Sequence, residues 1–156
     1  MKHFLEENNF VKEEITSVFE HAFDFKQSRM QRPTEDLSGQ SWGMLFYKNS
    51  TRTRVSFEVG IRELGGNPVL LDLSSTQIGR GESVKDTARV LSRFLDGLII
   101  RTHGHELIKE FARHAKIPVV NALTDFLHPC QIYADCMTIL EKTSTSSNPY
   151  NGLAGK

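Results

Sequence analysis

Only two of the 156 residues are cysteines, and they lie six positions apart, at Cys130 and Cys136, in one predicted helix. That spacing places the two thiols on different faces of a helix, so no disulfide is expected between them. Free thiols are typical of reducing compartments, and the sequence therefore predicts buried, reduced cysteines in a cytoplasmic protein.

An excess of either charge is also lacking, because 19 basic residues balance 19 acidic ones. A surface for nucleic acid requires excess positive charge, so nucleic acid is not an expected partner and any anion site must be local. Long apolar runs are absent and the first ten residues are polar and acidic, so neither a membrane segment nor a secretory signal is expected. The remaining composition, 38% apolar and 24% charged, is that of one globular domain.

Two kinds of apolar pattern alternate along the chain. Helical spacing predicts helices over residues 11–30, 51–64 and 82–95, around 107–112, and from Pro129 to about Lys142. In the third of these helices, the face expected to be buried carries Val84, Ala88, Leu91 and Phe94. Short apolar runs predict four strands, with the sequences SWGMLFYK, NPVLLDL, GLIIRT and IPVVNA.

Strands that alternate with helices form βαβ units, and continuous apolar strands are typical of a parallel sheet that is covered on both faces. The predicted fold is therefore a three-layer α/β domain, with a four-stranded parallel sheet and helices on both faces. The domain is expected to span residues 1–142. Residues 143–156, rich in Ser, Thr, Asn and Gly, are expected to form a linker toward a second domain.

Ligands of such sheets bind beyond the carboxyl ends of the strands. Each of the four predicted strands is followed by a polar segment, and these read KNSTRTR, SSTQIGRGES, RTHGH and LTDFLHPCQ. In the first segment, Ser50 can cap the following helix, Thr51 and Thr53 can donate hydroxyl hydrogen bonds, and Arg52 can hold two oxygens of a phosphate. The alternative is an exposed helix start, and the segment is not a Walker A loop.

Three further side chains are expected at the same edge. Arg101 ends a buried strand, where it either faces the anion or pairs with Asp125. His128 precedes a helix and Gln131 follows one turn later, so they offer hydrogen bonds to a carbonyl and an amide, although His128 could also simply cap the helix. The sequence shows no metal-ligand spacing, so neither a metal nor a cofactor is expected.

Two histidines in the third segment, His103 and His105, flank Gly104 in a predicted loop. We interpret both of them as surface residues.

Four stretches in this order resemble the aspartate/ornithine carbamoyltransferases: FYKNSTRTRVSFE, SSTQIGRGESVKDTARVLSRFLDG, IIRT and FLHPCQ. The resemblance covers about residues 40–142 and is closer to the ornithine branch, because the loop after the second strand lacks the lysine typical of the aspartate branch. It implies a carbamoyl-phosphate-binding domain of an enzyme of arginine metabolism. That enzyme transfers the carbamoyl group to the δ-amino group of L-ornithine and gives citrulline and phosphate.

The resemblance also implies a role for each matching residue. Ser50, Thr51, Arg52 and Thr53 would hold the phosphate. Arg101, His128 and Gln131 would bind the carbamoyl end, with Arg101 and His128 catalytic. Gln77 would reach the site of a neighbouring subunit in a homotrimer.

The second, ornithine-binding domain of the family is expected to be missing here, which would leave this half inactive alone. Two alternatives remain at this point. One is another carbamoyltransferase, with aspartate or putrescine as acceptor, and the other is a non-catalytic phosphate-binding α/β module.

Overall fold

The computed structural model describes residues 1–29, 34–72, 77 and 81–143. Its helices and strands alternate in the order α1 (Lys12–Ser28), β1 (Ser41–Phe46), α2 (Thr51–Glu63), β2 (Asn67–Leu71), α3 (Val84–Leu91), β3 (Gly97–Arg101), α4 (His105–His114), β4 (Val119–Leu123) and α5 (Pro129–Thr143). The predicted linker lies outside the described residues beyond Thr143, as does most of the loop after β2. No helix in the described ranges is long and apolar enough to cross a membrane.

The four strands form one parallel sheet, as the sequence predicts, and their order in the sheet is β2-β1-β3-β4. In this register Phe46, Arg101 and Leu123 lie side by side at the carboxyl ends of their strands. The loops that follow β1, β3 and β4 therefore leave the sheet at one edge.

Alternate residues of the strands enter two separate cores. Leu45 and Ile100 pack on one face with buried residues of α3 and α4, including Ala88 and Phe111. On the other face, a second cluster contains Met44, Ile61, Ile99 and Ala122, and Phe57 of α2 packs against it. The prediction of helices on both faces is therefore confirmed.

Two expectations about burial are wrong. Val69 and Leu70 are exposed, because β2 lies at the end of the sheet and is not covered on both faces. Phe94 is 75% exposed, because α3 ends at Leu91 and the chain no longer follows the helical face that the spacing predicts.

The opposite end of the sheet is extended by the N-terminal segment, which the sequence analysis does not predict. Phe4 forms a parallel bridge with Val120. Its backbone N–H donates to the Val119 carbonyl at 2.8 Å, and its own carbonyl accepts from Asn121 N–H at 2.8 Å. The first residues of the chain are thus held against β4, next to the edge that carries the polar loops.

Candidate anion-binding site

The N-terminus of α2 is the first part of the site. Ser50 is the extended residue before the helix, and its Oγ accepts a hydrogen bond from the Thr53 backbone N–H at 3.3 Å. This confirms Ser50 as the helix cap. Thr51 and Arg52 are the first two helical residues, so their N–H groups have no partner within α2 and present partial positive charge to an anion.

A cavity of about 490 Å³ opens beside this helix start, between the loop after β1 and the end of β2. Ser50 and Thr51 line it, and so do Lys48 and Arg54. The exposed side chain of Arg52 does not line this cavity. The sequence motif did not predict a role for Lys48 or Arg54, although both adjoin it and carry positive charge.

Lys48 is held in place from across the sheet edge. Its side chain is 19% exposed, and its ammonium group pairs with the carboxylate of Asp125, which also lies 3.4 Å from His103 Nδ1. The hydrogen bond from Lys48 is the main cause that lowers the pKa of Asp125. Asp125 therefore joins the loops after β1, β3 and β4, and the alternative pair between Arg101 and Asp125 is not formed.

Arg101 connects β3 to the helix start. Its Nη1 donates to Thr53 Oγ1 at 3.1 Å. Its Nε is buried and has no hydrogen-bond partner among the described residues. A buried guanidinium N–H without a partner is costly, so the arrangement favours an additional acceptor here, such as a ligand oxygen.

His128 lies near Arg101 at the start of α5. Its carbonyl accepts from the Gln131 backbone N–H at 3.0 Å, so the backbone of His128, not its ring, caps the helix. The ring Nδ1 is buried and has no partner in the part of the chain that the structure describes. Burial lowers the pKa of His128, and the charge of Arg101 lowers it further, while Asp135 opposes both. The imidazole is therefore neutral near pH 7.

Two predicted site residues are not brought to this cluster. The exposed side chain of Gln131 donates to Asp135 at 2.8 Å, within its own helix. Gln77 is exposed, and its carbonyl accepts from Glu82 N–H at 3.2 Å. Most of the loop around Gln77 lies outside the described residues.

The two histidines of the third loop differ. The side chain of His103 is 68% exposed, as predicted. The prediction for His105 is wrong, since its side chain is only 8% exposed and contacts Thr124 and Glu6. The local sequence around His105 could not predict this burial, because the burial depends on contact with Glu6 in the N-terminal segment. Over the described ranges, no cluster of three or more His, Cys, Asp or Glu residues could hold a metal ion.

Together these groups place a helix N-terminus, a half-buried arginine and a neutral histidine at one edge of a parallel sheet. This arrangement is that of an α/β domain with a candidate anion-binding site at the carboxyl ends of its strands. A model of the aspartate/ornithine carbamoyltransferase, carbamoyl-P binding domain, matches residues 2–141. The chain belongs to this family.

Known relatives agree with this assignment. An ornithine carbamoyltransferase from Geobacter sulfurreducens is 49% identical over 142 residues, which are 90% of this chain and 47% of that relative. The crystal structure of ornithine carbamoyltransferase from Pyrococcus furiosus is 43% identical, with a TM-score of 0.87 over 92% of this chain and 46% of that one. The chain spans about half the length of the curated relatives it matches.

A member of the aspartate branch has the same fold. The aspartate transcarbamoylase from Trypanosoma cruzi, solved in complex with carbamoyl phosphate and aspartate, is 27% identical. Its TM-score is 0.85 over 92% of this chain and 48% of that one. The fold alone therefore does not separate the two branches.

Proposed function

We propose that this chain is the carbamoyl-phosphate-binding half of an ornithine carbamoyltransferase. The observation that carries the proposal is a pair of buried atoms, Arg101 Nε and His128 Nδ1, that have no hydrogen-bond partner among the described residues and lie next to the open N-terminus of α2. The phosphate would lie on Ser50, Thr51 and Arg52. The carbonyl oxygen would then face Arg101 and His128. Gln131 would face the amide group after its side chain leaves Asp135.

The reaction follows from these positions. The neutral δ-amino group of ornithine attacks the carbamoyl carbon, a C–N bond forms, and negative charge grows on the carbonyl oxygen. Arg101, His128 and Thr53 stabilise that charge in the manner of an oxyanion hole. The C–O bond to phosphate then breaks. Arg52 and the helix N-terminus stabilise the departing phosphate, and the nitrogen loses its extra proton to phosphate or solvent.

Ornithine is the proposed acceptor because of sequence identity. The identity is 43–49% with the two ornithine enzymes above and 27% with the aspartate enzyme. The second half of the enzyme would supply the acceptor site, so positioning of two substrates is lost when this half is alone. The isolated chain should therefore produce no citrulline from ornithine and carbamoyl phosphate.

A chimera tests the proposal. Residues 1–142 replace the corresponding half of the Geobacter sulfurreducens relative, and citrulline production is measured with ornithine as the acceptor. Turnover that is lost on substitution of Arg101 by Met supports the proposal. A folded chimera without turnover contradicts it and favours a non-catalytic phosphate-binding module. Reactions of the full-length enzyme that contains this half, with aspartate or putrescine as the acceptor, test the alternative that it is another carbamoyltransferase.

The enzyme is further proposed to be a cytoplasmic homotrimer of arginine metabolism, with Gln77 completing a neighbour's site. The exposure of Gln77 supports this role, and a closed ring lets each subunit give and receive one loop. Mixing Gln77→Ala with Arg52→Ala protein should restore carbamoyl phosphate binding, because some sites then combine both intact residues. If binding does not recover on mixing, the two residues act within one chain.

A further inference from the structure

The proposed reaction gives no role to His105, although its imidazole is one of the more enclosed polar groups near the site. The side chain is 8% exposed at the first residue of α4. Its Nδ1 lies 3.1 Å from Thr124 Oγ1, and its Nε2 lies 3.1 Å from Glu6 Oε1. His105 thus links the N-terminal segment to the loop that carries His128.

Thr124, which is 4% exposed, organises that loop. Its Oγ1 accepts hydrogen bonds from the backbone N–H groups of Phe126 at 3.3 Å and Leu127 at 3.1 Å. Its own N–H donates to the Leu127 carbonyl at 2.8 Å. The resulting turn ends one residue before His128. A shift of Thr124 should therefore move the backbone from which the His128 imidazole projects.

The bonding pattern selects one tautomer of His105. The Glu6 carboxylate only accepts, so the Nε2–H of His105 donates to it. Two backbone N–H groups already occupy the lone pairs of Thr124 Oγ1, which leaves its hydroxyl proton to donate. The Leu127 carbonyl can accept this proton at 3.3 Å, but Nδ1 of His105, which carries no hydrogen in this tautomer, is the nearer acceptor at 3.1 Å. The bond from His105 is also the main cause that lowers the pKa of Glu6, and Lys109 adds to this from 3.4 Å.

The turn requires such support because it follows a residue, Leu123, whose backbone conformation is unfavourable. Leu123 has φ of 149°, the one positive value for a non-glycine residue in the part of the chain that the structure describes. The pairing of β3 with β4 also shifts register between Ile100 and Arg101. Bulges and strained residues persist only where surrounding contacts hold them, and they often re-aim a side chain next to a site.

We propose that His105 is a positioning residue: by bridging Glu6 and Thr124 in its Nε2–H tautomer, it fixes the 124–127 turn and so holds the His128 imidazole beside Arg101. This placement is a property of the ligand-free chain. Its consequence for carbamoyl phosphate rests on the proposed function.

Nuclear magnetic resonance of the uniformly ¹⁵N-labelled chain tests the placement without any ligand. The wild-type spectrum should show His105 as the Nε2–H tautomer. His105→Leu removes both hydrogen bonds, so the His128 ring signals should shift and the Phe126 and Leu127 amides should exchange faster with solvent. His105→Gln retains one acceptor and one donor and should restore most of the wild-type pattern.

Glu6→Ala and Glu106→Ala form a matched pair, because both carboxylates contact Lys109 but only Glu6 contacts His105. Glu6→Ala removes the acceptor of the Nε2–H and should alter the His105 signals and shift those of His128, whereas Glu106→Ala should alter neither. If His105→Leu does not fold, this pair decides the proposal in the same way.

Binding of two probes then separates positioning from general damage. His105→Leu should lose roughly five- to tenfold of the preference for carbamoyl phosphate over inorganic phosphate, as for one lost hydrogen bond, with phosphate affinity nearly unchanged. Unchanged His128 signals in His105→Leu and in Glu6→Ala would overturn the proposal. A further outcome is that the variants shift the His128 signals but the wild-type chain binds no carbamoyl phosphate. This outcome would support the positioning role of His105 and contradict the proposed function.

Discussion

The loops after β1 and β4 both carry proposed ligand-binding residues, but they are held in different ways. The first is an open helix start, where Ser50 makes the local cap and the next two N–H groups have no partner within the helix. The second is a closed turn, in which Thr124 bonds to Phe126 and Leu127 and is itself held from outside.

This difference indicates that the two loops have different roles. The helix start leaves its donors available, so it is suited to hold an anion whose charge does most of the orienting. In the closed turn, Thr124 already bonds to the N–H groups of Phe126 and Leu127, and the ring of His128 follows as the proposed ligand contact. Substitutions in the first region should therefore affect binding, and substitutions in the second should affect folding and geometry together.

The largest effect is expected from Arg52→Ala. Loss of its guanidinium should cost about 2–5 kcal/mol of binding free energy for carbamoyl phosphate or phosphate, as for a charge left without its partner. Calorimetry measures this cost. Arg62→Ala, an exposed arginine on the same helix paired with Glu58, is the control and should bind normally. Equal affinity of wild type and Arg52→Ala would contradict the anion site.

Asn121→Ala should have the next largest effect, on stability. The buried side chain donates to the Leu5 carbonyl at 2.8 Å and accepts from the Leu123 N–H at 2.9 Å. Leaving these groups unpaired should lower the free energy of unfolding by about 1–3 kcal/mol. Urea denaturation measures the change, with the exposed Asn8→Ala as control. A fully stable variant would show that the β4 loop does not depend on these bonds.

Ser50→Ala should affect both properties, each by a smaller amount. Loss of the cap should reduce the free energy of unfolding by about 1 kcal/mol. Ser83 caps α3 in the same way, with its Oγ accepting from Asp86 N–H at 3.1 Å, so Ser83→Ala should cost a similar amount. Only Ser50→Ala should also weaken phosphate binding in calorimetry. Equal binding losses in both variants would point to a global effect.

The smallest effect concerns the protonation of His128. Because burial and Arg101 lower its pKa below the ordinary 6.5, the unfolded chain binds this proton more readily than the folded one. Its contribution to stability is therefore present above pH 6.5 and is lost as pH falls toward the folded pKa. Histidine NMR should show titration below 6.5, and Arg101→Met should raise that value. Titration at or above 6.5 would remove this argument for a neutral imidazole.

The sequence was sufficient where the signal is local. Alternation of apolar runs predicted the sheet and its helices, and the polar residues from Ser50 onward predicted the capped helix start, because both depend on neighbours a few positions away. The positions of Lys48 and His105 were not predicted. Their partners, Asp125 and Glu6, lie 77 and 99 residues away in the chain, and no periodicity encodes such contacts. Phe94 was misplaced because the helix ended earlier than its apolar spacing.

The N-terminal segment beside β4 has a consequence for how the molecule forms. Asn121 bonds to the carbonyl of Leu5 across 116 residues, so this contact closes nearly the whole domain into a loop. Closing long loops costs entropy and slows folding. During synthesis, the first residues cannot form these contacts until the ribosome has synthesised β4. The turn before His128 would then be among the last parts to become ordered. A fusion partner that hinders the contact between the first six residues and β4 should delay the ordering of this turn.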